Sequence, residues 1–321
     1  MSLRVSLLVI ILGVLLGAFY SSQSTASGIL SIYYFEARGN SGYDAVLLQA
    51  PNGMNIVIDS GAHASDNEFI AFLLNHGVGR IDYLIATNAG PGYVGLHGDL
   101  VWQYGQKIGK IVDVGQPSTS SHYQDYIQTA CAQGIPITTP RDGDTLHWGS
   151  IRVTFFSPSE DQLARTLQDK ICSPDYFSSA QSSSTDSLVF KVEYQNTSYF
   201  FAGDLGGDEM DALLQRHPSD LKSTVLDLPR SGELGPNQTA FLTAVSPSVA
   251  VAMASPFDNQ GRPCDSLLQQ LSQSKTPTYI TGIHGTISMY SDGEINLIDT
   301  ERPATSDPSA LQSRKSTVQQ C

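Results

Sequence analysis

The chain has 321 residues, of which 40% are hydrophobic, enough to build the core of one large domain or two ordinary ones. Its 18 basic and 31 acidic residues give a net charge of -13, so its long-range field repels nucleic-acid backbones and anionic membranes. The composition therefore excludes a wholly unstructured chain and disfavours non-specific nucleic-acid binding.

The N-terminal segment predicts export. After Arg4, residues 5–20 (VSLLVIILGVLLGAFY) are apolar and uncharged, and small and polar residues follow. This is the layout of a secretory signal peptide cut ahead of Ser27, and the apolar stretch is slightly short for a bilayer span. We predict that residues 1–26 are a signal peptide or, alternatively, an N-terminal anchor that contacts the membrane. Either outcome makes the remaining chain secreted or extracytoplasmic.

The four cysteines include no CxxC pair, and their spacing is too wide for a zinc site. An exported chain with an even number of cysteines permits one or two disulfides, whose pairing the sequence leaves open. The cysteines are Cys131, Cys172, Cys264 and Cys321.

Strand and helix patterns alternate along most of the chain. Apolar and β-branched runs between turn residues predict strands, and apolar residues at helical spacing predict helices. The predicted strands lie in residues 29–37, 44–61, 80–87, 110–115, 135–158, 187–205, 223–229, 248–255, 277–282 and 285–299. The predicted helices lie in residues 65–79, 94–106, 120–134, 207–217, 237–245 and 264–273.

Two segments fall outside this alternation. Residues 159–185, rich in Ser, Asp and Gln, predict a surface insertion with partial helix, and residues 301–321 lack periodicity and predict a disordered tail. The two successive halves of strands with helices predict an α/β (α+β) domain over residues 27–300, folded as a four-layer αββα sandwich. A doubly wound sheet is the alternative, which the many hairpins disfavour.

Several stretches, in the right order, resemble the metallo-β-lactamase fold, and more narrowly the hydrolase domain of ComEC competence proteins, which serve DNA uptake. GNSGYDAVLLQAPNGMNIVIDSG is similar to the opening of that family and places Asp44 and Asp59 on two family aspartates. RIDYLIATNAGPGYVG is similar to the strand that ends in Thr-His-x-Asp-x-Asp-His-x-Gly. SLVFKVEYQNTSYFFAGDL places Asp204 on the aspartate that bridges two metals. VLDLPRSGE and NQGRP are similar to VLKVPHHGS and NxYGHP, so the resemblance runs from about residue 30 to residue 298.

The chain departs from this family at the metal-ligand positions. Among these positions and their neighbours, only the carboxylates Asp59 and Asp204 remain. The replaced positions are Asn88, Gly90, Gly92 and Tyr93 in the loop after the strand, Arg230 and Ser231 in place of a His pair, and Arg262 in place of a late His.

These replacements predict a cleft without a metal. A hydrolytic zinc needs about three protein ligands, mostly imidazoles, and a water-binding position. No two histidines of the chain form an HxH, HxxH or HExxH pair. We therefore predict no metal cofactor, and zinc or another divalent metal in a non-standard site is the alternative. His63 and His97 are close enough in sequence to the cleft to be candidates for such a site.

The two remaining aspartates have a structural explanation, and a functional role is the alternative. An aspartate at a strand end commonly accepts backbone N–H bonds of the following turn. A buried salt bridge of Asp204 with Arg230, joined by Arg262, is a further hypothesis for how the cleft is held together.

Two functions follow as hypotheses. The first is an exported, catalytically inactive binding or structural module, whose partner is a small anion held by the two arginines or another protein. The alternative, implied by the ComEC resemblance, is an extracellular metal-dependent hydrolase of phosphodiesterase or nuclease type.

Overall fold

The computed structural model describes residues 28–36, 45–63, 68–163, 170–180, 186–233, 235, 237–255 and 261–309. The predicted leader at residues 1–26, Asp44, and residues 310–321 of the predicted tail lie outside these ranges. No helix within them is long and apolar enough to cross a bilayer.

The strands of the described residues form two sheets. The first sheet has the order β15-β14-β1-β2-β3-β4-β5-β6, and the second has the order β13-β12-β11-β10-β9-β8-β7. The strands of the first sheet are β1 (Leu30–Tyr34), β2 (Val46–Gln49), β3 (Asn55–Ile58), β4 (Ile81–Ala86), β5 (Ile108–Asp113), β6 (Ile137–Thr138), β14 (Ile287–Ser291) and β15 (Asn296–Thr300). Those of the second are β7 (Thr145–Trp148), β8 (Ile151–Phe155), β9 (Phe190–Tyr194), β10 (Thr197–Phe201), β11 (Val225–Asp227), β12 (Val249–Ala252) and β13 (Thr278–Ile280).

Helices lie in the connections between these strands. They are α1 (Glu68–Asn75), α2 (Pro91–Val94), α3 (His97–Tyr104), α4 (Ser121–Ala132), α5 (Glu160–Leu163), α6 (Gly207–Arg216), α7 (Gln238–Val245), α8 (Asp265–Gln273) and α9 (Thr281–His284). Short 3-10 turns occupy Gly105–Lys107, Tyr176–Ser179 and Pro229–Gly232.

The two sheets pack face to face. Tyr34 of β1 stacks on Phe201 of β10 with ring centroids 6.3 Å apart, and Tyr83 of β4 lies 5.7 Å from Trp148 of β7. Because successive side chains of a strand point to opposite faces, Phe200 turns away from the other sheet. These contacts place the main hydrophobic core between the sheets.

Helices cover both outer faces. Phe200 packs on Phe241 of α7, with centroids 5.8 Å apart, in a second hydrophobic cluster that includes α6 and α8. On the first sheet, Tyr33 contacts Phe72 of α1 at 5.9 Å. The arrangement is the four-layer αββα sandwich that the sequence predicted.

Parallel pairing gathers the loops that carry the predicted site. Strands β3, β4 and β5 run parallel in the first sheet, and β10, β11, β12 and β13 run parallel in the second. The carboxyl ends of parallel strands lie at one edge of their sheet, where α/β proteins place ligand sites. The loops after β3, β4, β10 and β11 contain most of the cleft positions singled out above.

Three local predictions need correction. The helix predicted at residues 94–106 begins only at His97 as α3, and the separate one-turn helix α2 precedes it, because the backbone leaves the helical conformation at Leu96, with φ -104° and ψ 6°. The segment at residues 135–158 contains three strands, of which β6 belongs to the first sheet. The end of the predicted strand at residues 277–282 forms α9.

The predicted disorder of the tail is wrong for residues 301–309. Arg302 forms a bidentate ion pair with Glu36, at 2.6 and 2.7 Å, and also donates to the carbonyls of Thr281 and Gly282. The side chain of the buried His284 lies 3.1 Å from the carbonyl of Thr305. Specific polar contacts therefore hold residues 301–309 against the domain, although their sequence shows no strand or helix periodicity.

The predicted surface insertion is tied to the body of the domain. A disulfide joins Cys131 of α4 to Cys172, with Cα atoms 5.6 Å apart. The hydroxyl of Tyr176 lies 2.8 Å from that of Tyr123 on α4. These contacts anchor residues 170–180, and the disulfide is one of the one or two that the cysteine count permitted.

Candidate functional site

Asp59 joins the loops that follow β3 and β4. Its carboxylate accepts hydrogen bonds from the backbone N–H of Thr87 at 2.8 Å and from the Thr87 hydroxyl at 2.6 Å. Asp59 is 2% exposed and adopts a left-handed backbone conformation with φ 55°. This is the turn-capping contact that the sequence predicted for an aspartate at a strand end.

His97 supports the same loops from beneath. Its Nδ1 lies 2.7 Å from the hydroxyl of Ser60, which also accepts the backbone N–H of Leu96 at 3.1 Å. His97 is fully buried against Tyr126, and burial lowers its pKa to about 3. The histidine is therefore neutral and built into the loop framework.

His63 lies on the surface, although it is close in sequence to the cleft. Its side chain is 58% exposed, stacks on His122 with ring centroids 5.1 Å apart, and lies 3.5 Å from a carboxylate oxygen of Asp99. Neither candidate histidine joins the cleft, because one is built into the core beneath the loops and the other faces solvent.

The carboxylate of Asp204 is the centre of the cleft. One of its oxygens accepts a short hydrogen bond from the hydroxyl of Tyr93, and the other accepts one from the side-chain amide of Asn88 at 3.4 Å. The backbone N–H of Asp204 donates to the hydroxyl of Ser187 at 3.0 Å. The structure thus brings together three of the predicted positions, which come from the loops after β4 and β10.

Asn88 spans the gap between the two sheets. Its amide nitrogen also lies 3.2 Å from the hydroxyl of Ser187 and 3.5 Å from the carbonyl of Asp186. Its amide oxygen accepts the backbone N–H of Gly90 at 2.7 Å. Asn88 is 2% exposed, so this side chain works as an internal bridge.

Gly90 and Gly92 act through the backbone. The carbonyl of Gly90 accepts the N–H groups of Tyr93 and Val94 and so begins α2, while Gly92 is buried within that helix. A side chain at Gly90 would crowd Asn88, because its Cβ would lie 3.0 Å from the amide oxygen. The two glycines shape the turn that carries Tyr93 to Asp204.

Arg230 contacts the backbone of Asp204, and the salt bridge predicted between the two side chains is replaced by this contact. The guanidinium Nε donates to the main-chain carbonyl of Asp204 at 3.0 Å, and Nη1 lies 3.9 Å from the carboxylate of Glu233. Arg230 and the buried Ser231 are both left-handed, with φ 52° and 55°. Residues other than glycine rarely adopt this backbone conformation, and such backbone strain is concentrated at functional sites.

Charges around Asp204 oppose the effect of its burial. Burial raises the pKa of this carboxyl, while the hydrogen bond from Tyr93 and the positive charges of Arg230 and Arg262 lower it. Arg262 is partly exposed and close enough for its charge to act on Asp204. The first two residues of the NQGRP element lie outside the described residues.

The donor set does not fit a dinuclear zinc centre. Within the described ranges, no three His, Cys, Asp or Glu side chains are grouped so as to hold a metal ion. The carboxylate oxygens of Asp204 accept hydrogen bonds where a bridging ligand would bind metals, and Arg230 adds positive charge. A dication requires free lone pairs and negative charge at its ligands, and this arrangement supplies hydrogen-bond donors and a positive charge instead.

Sequence reasoning missed a buried polar network next to the cleft. Asp186, 1% exposed, accepts hydrogen bonds from the amides of Gln116 at 3.2 Å and Gln162 at 3.1 Å. The Gln162 amide also lies 3.3 Å from the carboxylate of Glu209. The available signal was the pair Asp186-Ser187 directly before an apolar strand, at the end of what read as a surface insertion.

No family model matches the chain, and no curated protein matches it. A variant of the CmlA beta-hydroxylase superposes with a TM-score of 0.50 at 12% identity, over 81% of this chain and 53% of that one. This chain thus spans about half the length of CmlA. YhfI from Bacillus subtilis, a metallo-beta-lactamase fold protein, gives 0.49 at 10% identity over 78% and 96% of the two chains. Igni18, a metallo hydrolase from Ignicoccus hospitalis, gives 0.48 at 14% identity over 81% and 98%.

The fold is of the metallo-β-lactamase type. The two sheets, their order and the helices on both outer faces agree with the fold class that the sequence predicted. At these identities the likeness concerns the fold alone, so chemistry has to be argued from the cleft residues themselves.

Proposed function

We propose that this chain is an exported, non-hydrolytic module that binds a small anion in the cleft of a metallo-β-lactamase fold. The cleft is formed by Asn88, Tyr93, Asp204, Arg230, Ser231 and Arg262. The observation that carries the proposal is that Tyr93 and Asn88, at two replaced ligand positions, donate hydrogen bonds to Asp204.

The contacts of Asp204 favour binding over hydrolysis. In a carboxylate that bridges two metals, the oxygen lone pairs bind the metal cations. Here the lone pairs of Asp204 accept hydrogen bonds from the phenol of Tyr93 and the amide of Asn88. A metal-bound water nucleophile needs imidazole or carboxylate ligands at the positions held by Gly90 and Gly92, which have no side chain. Among the described residues, the cleft therefore lacks the groups that would generate a nucleophile from water through a metal.

The arginines support an anionic ligand. The side chain of Arg230 is 40% exposed, so donors of its planar guanidinium can reach a bound molecule. Arginine binds phosphate and carboxylate groups through paired N–H bonds. Its left-handed backbone, followed by that of Ser231, fixes the direction in which the guanidinium leaves the loop. A phosphate or a carboxylate is the matching ligand class.

Export is supported by the N-terminal pattern and by the disulfide. Disulfides persist in oxidising compartments and are rare in the cytosol. Cys131 and Cys172 form such a bond between α4 and the insertion, at a sequence separation of 41. The apolar stretch at residues 5–20 supplies the segment that would direct the chain out of the cytoplasm.

The non-hydrolytic part is tested by metal content and turnover. The mature domain, purified and then supplied with Zn²⁺ or Mn²⁺, is expected to hold no stoichiometric metal and to leave a generic phosphodiester intact. Near-stoichiometric metal, with turnover that Asp204→Ala abolishes and Asp299→Ala on the exposed surface leaves unchanged, would establish the metal-dependent hydrolase instead.

The anion-binding part is tested by thermal shift with phosphate, nucleotides and short carboxylic acids. We expect at least one of them to raise the melting temperature, Arg230→Ala to remove the effect, and Arg152→Ala, on the exposed face of β8, to retain it. A response that survives Arg230→Ala places the ligand elsewhere. No response to any of these anions contradicts the proposal and favours a structural module or a protein partner.

A further inference from the structure

A separate pocket lies between α5 and α6. It has a volume of about 210 Å³, and its floor is formed by the buried apolar side chains of Phe156, Val189, Leu205 and Leu213. This volume is below the roughly 300 Å³ at which drug-sized ligand sites begin, so it suits a small molecule. Ser187 lies at the boundary between this pocket and the cleft. It lines the pocket, and its hydroxyl accepts a hydrogen bond from Asn88 of the cleft.

Among the described residues that line this pocket, the charged side chains are predominantly acidic. Asp161, Asp208 and Glu209 contribute carboxylates to its lining. The lining also includes Arg216, whose guanidinium is paired with a carboxylate outside the lining: Nε donates to Asp142 at 2.7 Å, and Nη2 donates to the carbonyl of Phe156 at 3.2 Å. A bound molecule therefore meets an apolar floor and a rim of negative charge.

Glu209 stands at the inner end of this acidic rim. One carboxylate oxygen accepts the backbone N–H of Gly206 at 3.2 Å and so caps α6, while the other lies 3.3 Å from the amide of Gln162. The same amide nitrogen, which carries two N–H groups, also donates to the buried Asp186 at 3.1 Å, so it bridges the two carboxylates. Burial and the charge of Asp186 raise the pKa of Glu209, while the N–H of Gly206 and the positive charge of Arg230 lower it. A positively charged donor at this point would stabilise the ionised forms of both carboxylates.

We propose that the pocket binds a small organic cation, with a primary ammonium group at Glu209 and a short alkyl chain on the floor formed by Phe156, Val189, Leu205 and Leu213. An ammonium supplies up to three donors and one positive charge, which match the rim. The alkyl chain removes the apolar floor from water, which contributes about 25 cal/mol per Å² buried. A carboxylate or phosphate ligand is repelled by the same rim, so this site and the arginine-lined cleft select ligands of opposite charge.

The pocket adjoins the anion site, and the charge of Arg230 acts on Glu209, but the two sites use different side chains to hold their ligands. Its residues lie on α5, α6 and the segments before β9 and after β8, whereas anion binding depends on Arg230 and Arg262. Failure of one proposal leaves the other standing, provided that the two ligands are tested on variants of each site.

The experiment compares three probes of equal chain length on the mature protein by calorimetry or ligand-observed NMR. Hexylammonium is expected to bind, and hexan-1-ol and hexanoate to bind at least about tenfold more weakly, since tenfold corresponds to about 1.4 kcal/mol. Glu209→Gln keeps the size of the side chain and is expected to remove that preference. Equal binding of hexan-1-ol and hexylammonium would overturn the proposal.

Two further variants localise the binding. Ala212→Leu adds bulk at the pocket wall and is expected to weaken hexylammonium binding at least about tenfold. Asp211→Asn is the matched control, because Asp211 lies on α6 outside the pocket and bonds to Asn237, and it is expected to bind as the unmodified chain does. Arg230→Ala is expected to retain hexylammonium binding. Binding that Ala212→Leu leaves intact in a variant with an unchanged melting temperature would contradict this location, and so would loss on Asp211→Asn.

Discussion

Burial and hydrogen bonding act in opposite directions on the carboxyl group of Asp204. Burial raises its pKa, and the hydroxyl of Tyr93 is the largest of the influences that lower it. The folded pKa stays above the unfolded one, so the folded chain binds more protons between the two values. The contribution of Asp204 to stability is therefore fully present below its unfolded pKa and is lost as pH rises through the folded pKa.

Tyr93→Phe is expected to destabilise the domain more at about pH 8 than at about pH 4, because the lost hydrogen bond favours the ionised carboxylate. A hydrogen bond to a charged group contributes about 1.5–3 kcal/mol, which sets the expected loss of stability at the higher pH. Urea unfolding at both pH values measures the difference.

Tyr104→Phe is the control for this change. The hydroxyl of Tyr104 donates to the carbonyl of Val78 at 3.1 Å, which does not titrate. We expect its loss to lower stability by a similar amount at both pH values. A pH-independent effect of Tyr93→Phe, equal to that of the control, would show that Asp204 is not ionised in the folded chain.

His97 gives a second prediction at this scale. Burial lowers its pKa to about 3, so the folded chain excludes a proton that the unfolded chain binds below its ordinary pKa. Its contribution to stability is present above the unfolded pKa and is lost as pH falls through the folded value. Imidazole NMR signals of His97 are expected to stay in the neutral form down to about pH 4. Titration near the ordinary value for histidine would contradict the buried position assigned to its ring.

Among the elements, α4 holds the insertion in place through a fully buried acid. The carboxylate of Asp113, at the end of β5, accepts hydrogen bonds from Tyr123 at 2.8 Å and Tyr126 at 2.7 Å. Tyr123 passes the contact on to Tyr176 of the insertion at 2.8 Å. The disulfide between Cys131 and Cys172 makes the same connection covalently, so these two links reinforce each other.

The double variant Cys131→Ser/Cys172→Ser is expected to lower the free energy of unfolding by about 2–4 kcal/mol. The disulfide closes a loop with a sequence separation of 41, and a cross-link of this kind restricts the unfolded chain. Denaturant unfolding of the oxidised chain and the variant measures the effect. Equal stability would mean that the Tyr123–Tyr176 contact alone fixes the insertion.

At the scale of the whole molecule, local sequence patterns predicted the strands and helices. They did not predict contacts between residues far apart in the sequence. Strand alternation and helical spacing are local, so the αββα architecture followed from the order of elements. The docked residues 301–309 were missed because Arg302 reaches Glu36 across 266 positions. The separate helix α2 was missed because the backbone N–H of Gly95 bonds to the carbonyl of Gly61 in the loop after β3, a contact that no local pattern shows.

In the cleft as well, the positions of residues were predicted from the sequence, but several of their contacts were not. The resemblance indicated which positions face one another, and the structure brings Asn88, Tyr93 and Asp204 together. It did not indicate that Arg230 would bond to a backbone carbonyl, because side-chain direction depends on the left-handed conformation at that residue. Asp186 was missed because its partners, Gln116 and Gln162, are uncharged and 70 and 24 positions away.

The net charge of the whole molecule favours the proposed anion-binding module over a nuclease. A net charge of -13 opposes the approach of a nucleic-acid backbone, whereas a single phosphate has to contact only the arginines of the cleft. We expect no retention of a short DNA duplex by the mature domain in a gel-shift assay, even at about 50 mM salt, where electrostatic binding is strongest. A basic DNA-binding protein run in parallel confirms that the assay detects complexes. Retention that weakens as salt is raised, and that Arg230→Ala abolishes while Arg152→Ala does not, would contradict this expectation and place a nucleic-acid strand in the cleft.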